Sequence, residues 1–207
     1  MEAALIKKGV FVALLTSILF FYFSSQNSHR SRAVSSIAVY EKPIPDGAII
    51  FRRGSSIESQ AVLSASKNGN WSHVGIVFNG EHGPTVIHAT PAEEDGLPNV
   101  VKQDSLDYFL APKRASDAKL MIVRGASNST GHQAALVAKS MIGKKFGIHP
   151  AESTSADETY CTELVIKSWK SAGVILTNTV DHVSIPIFSG YYFFPSSLSK
   201  SEILTPY

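Results

Sequence analysis

The sequence predicts an α+β domain in which a small, mostly antiparallel sheet packs against helices. Three observations carry that class. Ser72 to Phe78 (SHVGIVF) and Thr85 to Thr90 (TVIHAT) are alternating, β-branched segments around the polar stretch Asn79-Gly80-Glu81-His82, the pattern of a hairpin. Leu120 to Arg124 (LMIVR) supplies a further strand. Thr130 to Ile142 and Tyr160 to Ala172 place apolar residues at helical spacing and stop at Gly143 and Gly173, the usual terminators.

In chain order, Lys7 and Lys8 precede an unbroken apolar run from Gly9 to Phe23, followed at once by polar residues. The run is shorter than the roughly 20 residues that span a bilayer comfortably and suits the core of a secretory signal. Residues 1–28 are therefore expected to be a signal peptide or an N-terminal membrane anchor. Residues 29–45, rich in Ser and basic side chains and closing on Pro43 and Pro45, read as a linker. The folded domain is expected to span 46–207. Its location follows from the leader: exported, periplasmic or extracellular, either released or held at the membrane by residues 9–23.

Within the domain, Asp46-Gly47 makes a turn before a short strand, Ala48 to Arg52. Ser55 with Glu58 three residues later reads as a capping box for a helix over Ile57 to Ser66, which an Asn68-Gly69 turn follows. After the hairpin, Val100 to Leu110 reads as a strand running into a helical turn. In the second long helix Leu164, Val165, Ser168 and Ala172 share one face. Glu163, Lys167 and Lys170 are expected on the exposed one, with Glu163 and Lys167 as an i, i+4 pair. Turn signals, the aromatic run Tyr191 to Phe194 and Pro195-Ser196-Ser197-Leu198 fill the tail.

The chain of 207 residues has 19 Lys plus Arg against 17 Asp plus Glu. That balance, with no basic cluster interleaved with aromatics, excludes a nucleic-acid partner. Cys161 is the single cysteine, so no intramolecular disulfide can form. A free cysteine is ordinarily a small buried hydrophobe. This one opens a helix, where unpaired N–H groups and the positive end of the dipole favour a thiolate and can face an oxyanion. The expected thiol pKa is therefore low.

A thiolate nucleophile needs a base, held in one tautomer by a third group. Alternation puts His73, Gly75 and Val77 on one face of the first hairpin strand, and Val86 and His88 on one face of the second. With a four-residue loop, Asn79 to His82, or a two-residue turn, Gly80-Glu81, His73 falls opposite His88. Only an odd shift would separate the two rings. The remaining histidines (His29, His82, His132, His149 and His182) lie in predicted loops, linker or helix ends and are expected at the surface. One cysteine and two histidines could also ligate zinc, but no Cys-x-x-Cys or His-x-x-x-His spacing accompanies them. No metal and no cofactor are expected.

Four segments carry a family resemblance: Asp46 to Arg53 (DGAIIFRR), Trp71 to Phe78 (WSHVGIVF), Val86 to Pro91 (VIHATP) and Tyr160 to Val165 (YCTELV). In that order they resemble the YiiX/YebB-like hydrolases. Those are similar to the circularly permuted branch of the NlpC-type papain-like superfamily, to which the lecithin retinol acyltransferases also belong. The resemblance implies a permuted papain-like fold, with Cys161 as nucleophile, His73 as base and His88 in the third polar position. Related sequences often have an acidic residue at that third position, and the acyltransferases have histidine. Residues 146–159 depart from the pattern. The implied activity is hydrolysis of an amide bond through a thioester acyl-enzyme, with a peptidoglycan-type peptide of the cell envelope as the expected substrate. Alternatives are a lipid acyl hydrolase or acyltransferase using the same Cys-His-His triad, and a non-catalytic envelope-binding module. The partner is accordingly a peptide or lipid acyl substrate of the envelope.

Overall fold

The computed structural model of the chain describes residues 43–66, 69–92, 97–153, 155–185 and 188–207. The proposed leader, residues 1–28, and most of the linker lie outside the described residues. Among the described residues no helix is long and apolar enough to cross a membrane.

Among the described residues ten strands and five helices follow in chain order: β1 (Ile49–Arg53), α1 (Ile57–Ala65), β2 (His73–Gly80), β3 (Gly83–Thr90), β4 (Val100–Ser105), α2 (Leu106–Phe109), β5 (Asp117–Val123), α3 (Asn128–Ser140), β6 (Lys145–Phe146), β7 (Glu158–Thr159), α4 (Cys161–Ser171), β8 (Asp181–Ile185), β9 (Phe188–Tyr192), α5 (Pro195–Leu198) and β10 (Leu204–Pro206). Eight strands form one sheet in the order β10-β5-β1-β2-β3-β4-β6-β7, and β8 pairs with β9 separately. Every pair is antiparallel except the short β6–β7 edge.

Alternation along the central strands divides the apolar residues between two cores. Phe51, Val74, Ile76, Ile87 and Val101 face α3 and α4, where Leu164, Val165 and Trp169 meet them. Ile50, Val77, Val86 and Leu120 point to the other face and are closed over by Leu106 and Phe109 of α2. Helix α3 presents Gly131, Ala134, Ala135 and Ala138 as its buried residues. Such small side chains let a helix lie close to its neighbours, so their loss of contact area is offset by tighter packing. Helix α4 ends at Gly173, whose φ of 87° is the left-handed conformation a C-terminal cap requires.

Several sequence expectations shift. Ser56, not Ser55, caps α1, accepting from the Ser59 N–H, while the Ser55 hydroxyl donates to the Lys113 carbonyl. The tail contains the β8–β9 hairpin, which lays Val183, Tyr192 and Phe194 on Val62 and Ala65 of α1. Ile44, just ahead of Asp46, is buried in the second core. Close to it, the Tyr207 hydroxyl donates to the Pro43 carbonyl at 2.8 Å, so the two ends of the described domain touch.

The hairpin is two residues out of the expected register: Ile76 faces Ile87 and Gly80 faces Gly83. The turn residues are Glu81 and His82, and Gly83 takes φ 111°, which a side chain would resist. An even shift preserves facing, so His73 and His88 still share a side of the sheet. They become diagonal neighbours, and Gly75 lies beside the path between them. A Cβ on Gly75 would stand 2.4 Å from Val86 Cγ1, 3.0 Å from the Ile87 carbonyl oxygen and 3.2 Å from His88 Cβ. Val86 is stiff and the Ile87 oxygen is backbone, so neither yields easily. Gly75→Ala is expected to destabilise the domain by about 1–3 kcal/mol and to displace β3. Thermal melting checks this, and an unchanged midpoint would show that the strands separate freely.

Candidate active site

Four adjacent strands each place polar side chains on the face covered by α2: Arg52 from β1, His73 from β2, His88 from β3, and Lys102 and Asp104 from β4. The register aligns Arg52 with His73 and His88 with Lys102. His73 Nε2 lies 2.8 Å from His88 Nδ1, with the rings nearly perpendicular at 84°. His88 Nε2 lies 3.0 Å from Asp104 Oδ2, and Lys102 Nζ is 2.9 Å from the same oxygen. The row is therefore continuous from imidazole to imidazole to carboxylate.

Phe109 closes this row from above. Its ring centroid is 5.6 Å from that of His73 and 5.0 Å from that of His88. The Arg52 guanidinium stacks over it at 4.4 Å and donates to the Phe109 carbonyl at 2.8 Å. His88 is fully buried and His73 nearly so. Burial, together with the positive charges of Arg52 and Lys102 and the neighbouring His88, holds the His73 pKa well below the ordinary imidazole value. His73 is thus neutral at pH 7. Burial alone would raise the Asp104 carboxyl, but the hydrogen bonds from His88 and Lys102 prevail and bring it down to about 2.

Cys161 is the first residue of α4, as expected, and is 9% exposed. The preceding residue, Tyr160, has extended backbone and makes no capping bond from its side chain. The first helical donor is Leu164 N–H, to the Tyr160 carbonyl, so the N–H groups before it are left over from the helix ladder. The sulfur packs with Val74 in the helix-side core and faces the N–H groups of Val74 and Thr162. Thr162 Oγ1 is 3.8 Å away. Sγ therefore lies at the backbone of the residue that follows His73.

Two features differ from the sequence reading. Burial pushes the Cys161 thiol up, more than the Thr162 and Val74 donors and Arg52 pull it down. Desolvation disfavours the thiolate here more than its donors favour it. Among the described residues no hydrogen bond joins Sγ to the His73 ring. The thiol and the imidazole both rest neutral, with Sγ in the helix-side core at Val74 and the His73 ring against Phe109 on the other face of the sheet.

Around α4 the exposed-face assignment fails for Glu163, which is only 7% exposed. It does pair with Lys167 at 2.8 Å, but it also accepts from Thr159 Oγ1 at 2.8 Å and lies 3.3 Å from His149 Nε2. His149, expected at the surface, is instead largely enclosed, with its ring against Tyr160. These contacts tie the segment ahead of Cys161 to the helix. His82, His132 and His182 are exposed as expected, and His29 lies outside the described residues. Among the described residues no group of three or more His, Cys, Asp or Glu side chains is placed to hold a metal ion. Asp104 was not singled out from the sequence. The signal for it was faint: Lys102 and Asp104 alternate onto one face of VVKQDS, but nothing in that segment fixes its register against β3.

A helix-start cysteine reached after a histidine-bearing antiparallel hairpin, the reverse of the usual chain order, defines the class as a permuted papain-like cysteine hydrolase. Residues 43–189 match the Peptidase C92 family, described as permuted papain-like amidase enzymes, YaeF/YiiX, and the chain belongs to that family. Its activity class is accordingly cysteine-dependent hydrolysis of amide bonds. Among solved structures it is similar to the metalloprotein YiiX of Escherichia coli O157:H7, DUF1105. The TM-score is 0.63 at 21% identity, over 80% of this chain and 96% of that one, a likeness of fold. No curated protein matches the chain.

Proposed function

We propose that Cys161 is the nucleophile, His73 its base and His88 the residue that orients His73, in an amidase acting on a peptide of the cell envelope. The observation that carries the reading is the 2.8 Å His73–His88 pair, formed next to the strand residue whose N–H faces Sγ. Because both partners rest neutral, the proton moves during attack rather than before it. His73 Nδ1 takes the thiol proton as sulfur bonds to the amide carbon. The left-over N–H groups at the start of α4 are suited to receive the oxyanion. The imidazolium then protonates the leaving amine, giving a thioester on Cys161. Water, deprotonated by His73, releases the acid and restores the thiol.

An envelope substrate fits a chain whose residues 1–28 serve as an export signal or anchor, followed by a linker and the hydrolase domain. The domain then works outside the cytoplasm, either free or held at the membrane by residues 9–23. A lipid acyl substrate suits the same chemistry and the anchor, and non-catalytic binding is the remaining alternative. Pre-steady-state assays separate the three. Peptide amides are expected to give a burst with stoichiometric acylation of Cys161 seen by mass spectrometry. A burst with lipid esters alone would replace the peptide by a lipid, and no acylation by either would leave a binding module.

The neutral resting pair has its own signature. Alkylation of Cys161 by iodoacetamide should accelerate only above the free-cysteine value of about 8.5. The sign follows from the raised thiol: below its pKa the sulfur keeps its proton and reacts slowly. An inflection well below that value would establish a preformed thiolate–imidazolium pair instead.

A further inference from the structure

We propose that Asp104 is a positioning residue that sets the order of protons along the His88–His73 pair, leaving the lone pair of His73 on Nδ1. The inference rests on the reading of Cys161 and His73 given above and adds a fourth member to it. The carboxylate, ionised across the neutral range, can only accept. At 3.0 Å from His88 Nε2 it selects the tautomer with the proton on Nε2. His88 Nδ1 is then an acceptor, and the bond at 2.8 Å must be supplied by the proton on His73 Nε2. His73 Nδ1 is left unprotonated, which is the state a base needs.

Without the carboxylate, His88 Nε2 loses the acceptor that selects this order. The reverse tautomer would put a proton on His88 Nδ1, take the lone pair of His73 Nε2 and leave a proton on His73 Nδ1. That imidazole cannot accept from a thiol. Lys102, on the same oxygen at 2.9 Å, balances the carboxylate charge and keeps it an acceptor. The charged and titratable groups facing the pair are Arg52 from β1, Lys102 and Asp104 from β4, and the Tyr108 ring of α2 beneath Lys102 at 5.6 Å. Asp104 is the anion among them.

Nitrogen-15 NMR of the folded wild-type protein with labelled histidine reads the order directly. His88 is expected to show a protonated Nε2 and an unprotonated Nδ1, and His73 the same. A proton on His88 Nδ1 at pH 7 would overturn the proposal with no variant needed. In Asp104→Asn, the amide can present N–H to Nε2, so the His88 pattern should invert. The value of kcat on an amide substrate should fall about 10–100-fold, the usual scale for a group acting through another, with KM little changed. Asp104→Glu should restore the wild-type pattern and part of kcat. Wild-type kcat and spectrum in Asp104→Asn, with Cys161→Ala and His73→Ala inactive, would dismiss Asp104 and leave the nucleophile and base standing. Activity in Cys161→Ala would instead remove the reading on which the inference rests.

Discussion

Cys161→Ala is expected to lose about 10⁴-fold or more in acylation of an amide substrate, and His73→Ala about 10³-fold, with both chains still folded. The thiol has no substitute, since the chain contains no other cysteine. His73 has no evident stand-in either: the second imidazole, His88, already spends both nitrogens on His73 and Asp104. Stability should hardly follow activity in the cysteine variant, because a small side chain is replaced by a slightly smaller one at a cost of about 1 kcal/mol. Because the two groups act as a unit, the double variant should be no worse than Cys161→Ala alone. Turnover, Tm and the additivity of the pair are the measurements. Substantial hydrolysis by Cys161→Ala would exclude the thiol as nucleophile.

His88→Ala is expected to lower kcat by about 10²–10³-fold, and His88→Asn by much less. Alanine removes the acceptor for the His73 Nε2 proton and opens space at a fully buried position, costing about 1–3 kcal/mol in stability. Asparagine can accept from His73 through its carbonyl and offer N–H towards Asp104, so the row stays connected. Glutamate would bring its carboxylate up to Asp104 Oδ2 and be repelled by it. His88→Glu should therefore be partly active at best and should improve as pH falls and the pair shares a proton. Loss confined to kcat marks an orienting bond that matters as imidazolium forms. Equal kcat in wild type and His88→Ala would make His88 a sheet residue only.

The alternation of SHVGIVF and TVIHAT was enough to place His73 and His88 on one face, because strand parity tolerates an even register error such as the one that occurred. The start of α4 was legible from helical spacing and Gly173. What escaped was set by distant partners. Asp104 joins the site only because β4 lies beside β3, a pairing no local pattern specifies. Glu163 is buried because Thr159 and His149 from the preceding segment reach it, whereas its helix position alone suggests exposure. The raised thiol pKa belongs to the same class: a helix start is visible in sequence, but the loss of water around Sγ is a property of the packed core. The β8–β9 hairpin was missed because turn residues and aromatics dominate its sequence and its apolar face is matched to α1, more than a hundred residues earlier.

The contact between Tyr207 and Pro43 bears on how such a site can be reached in two chain orders. With the ends of the domain touching, a short link from residue 207 to residue 43 would close the chain into a loop, and a cut in the segment before Cys161 would reopen it with the nucleophile helix first. Neither operation breaks a bond in the row from His73 to Asp104 or shifts Sγ from the start of α4. Order along the chain is thus a matter of where synthesis happens to begin, while the chemistry depends only on which backbones lie side by side.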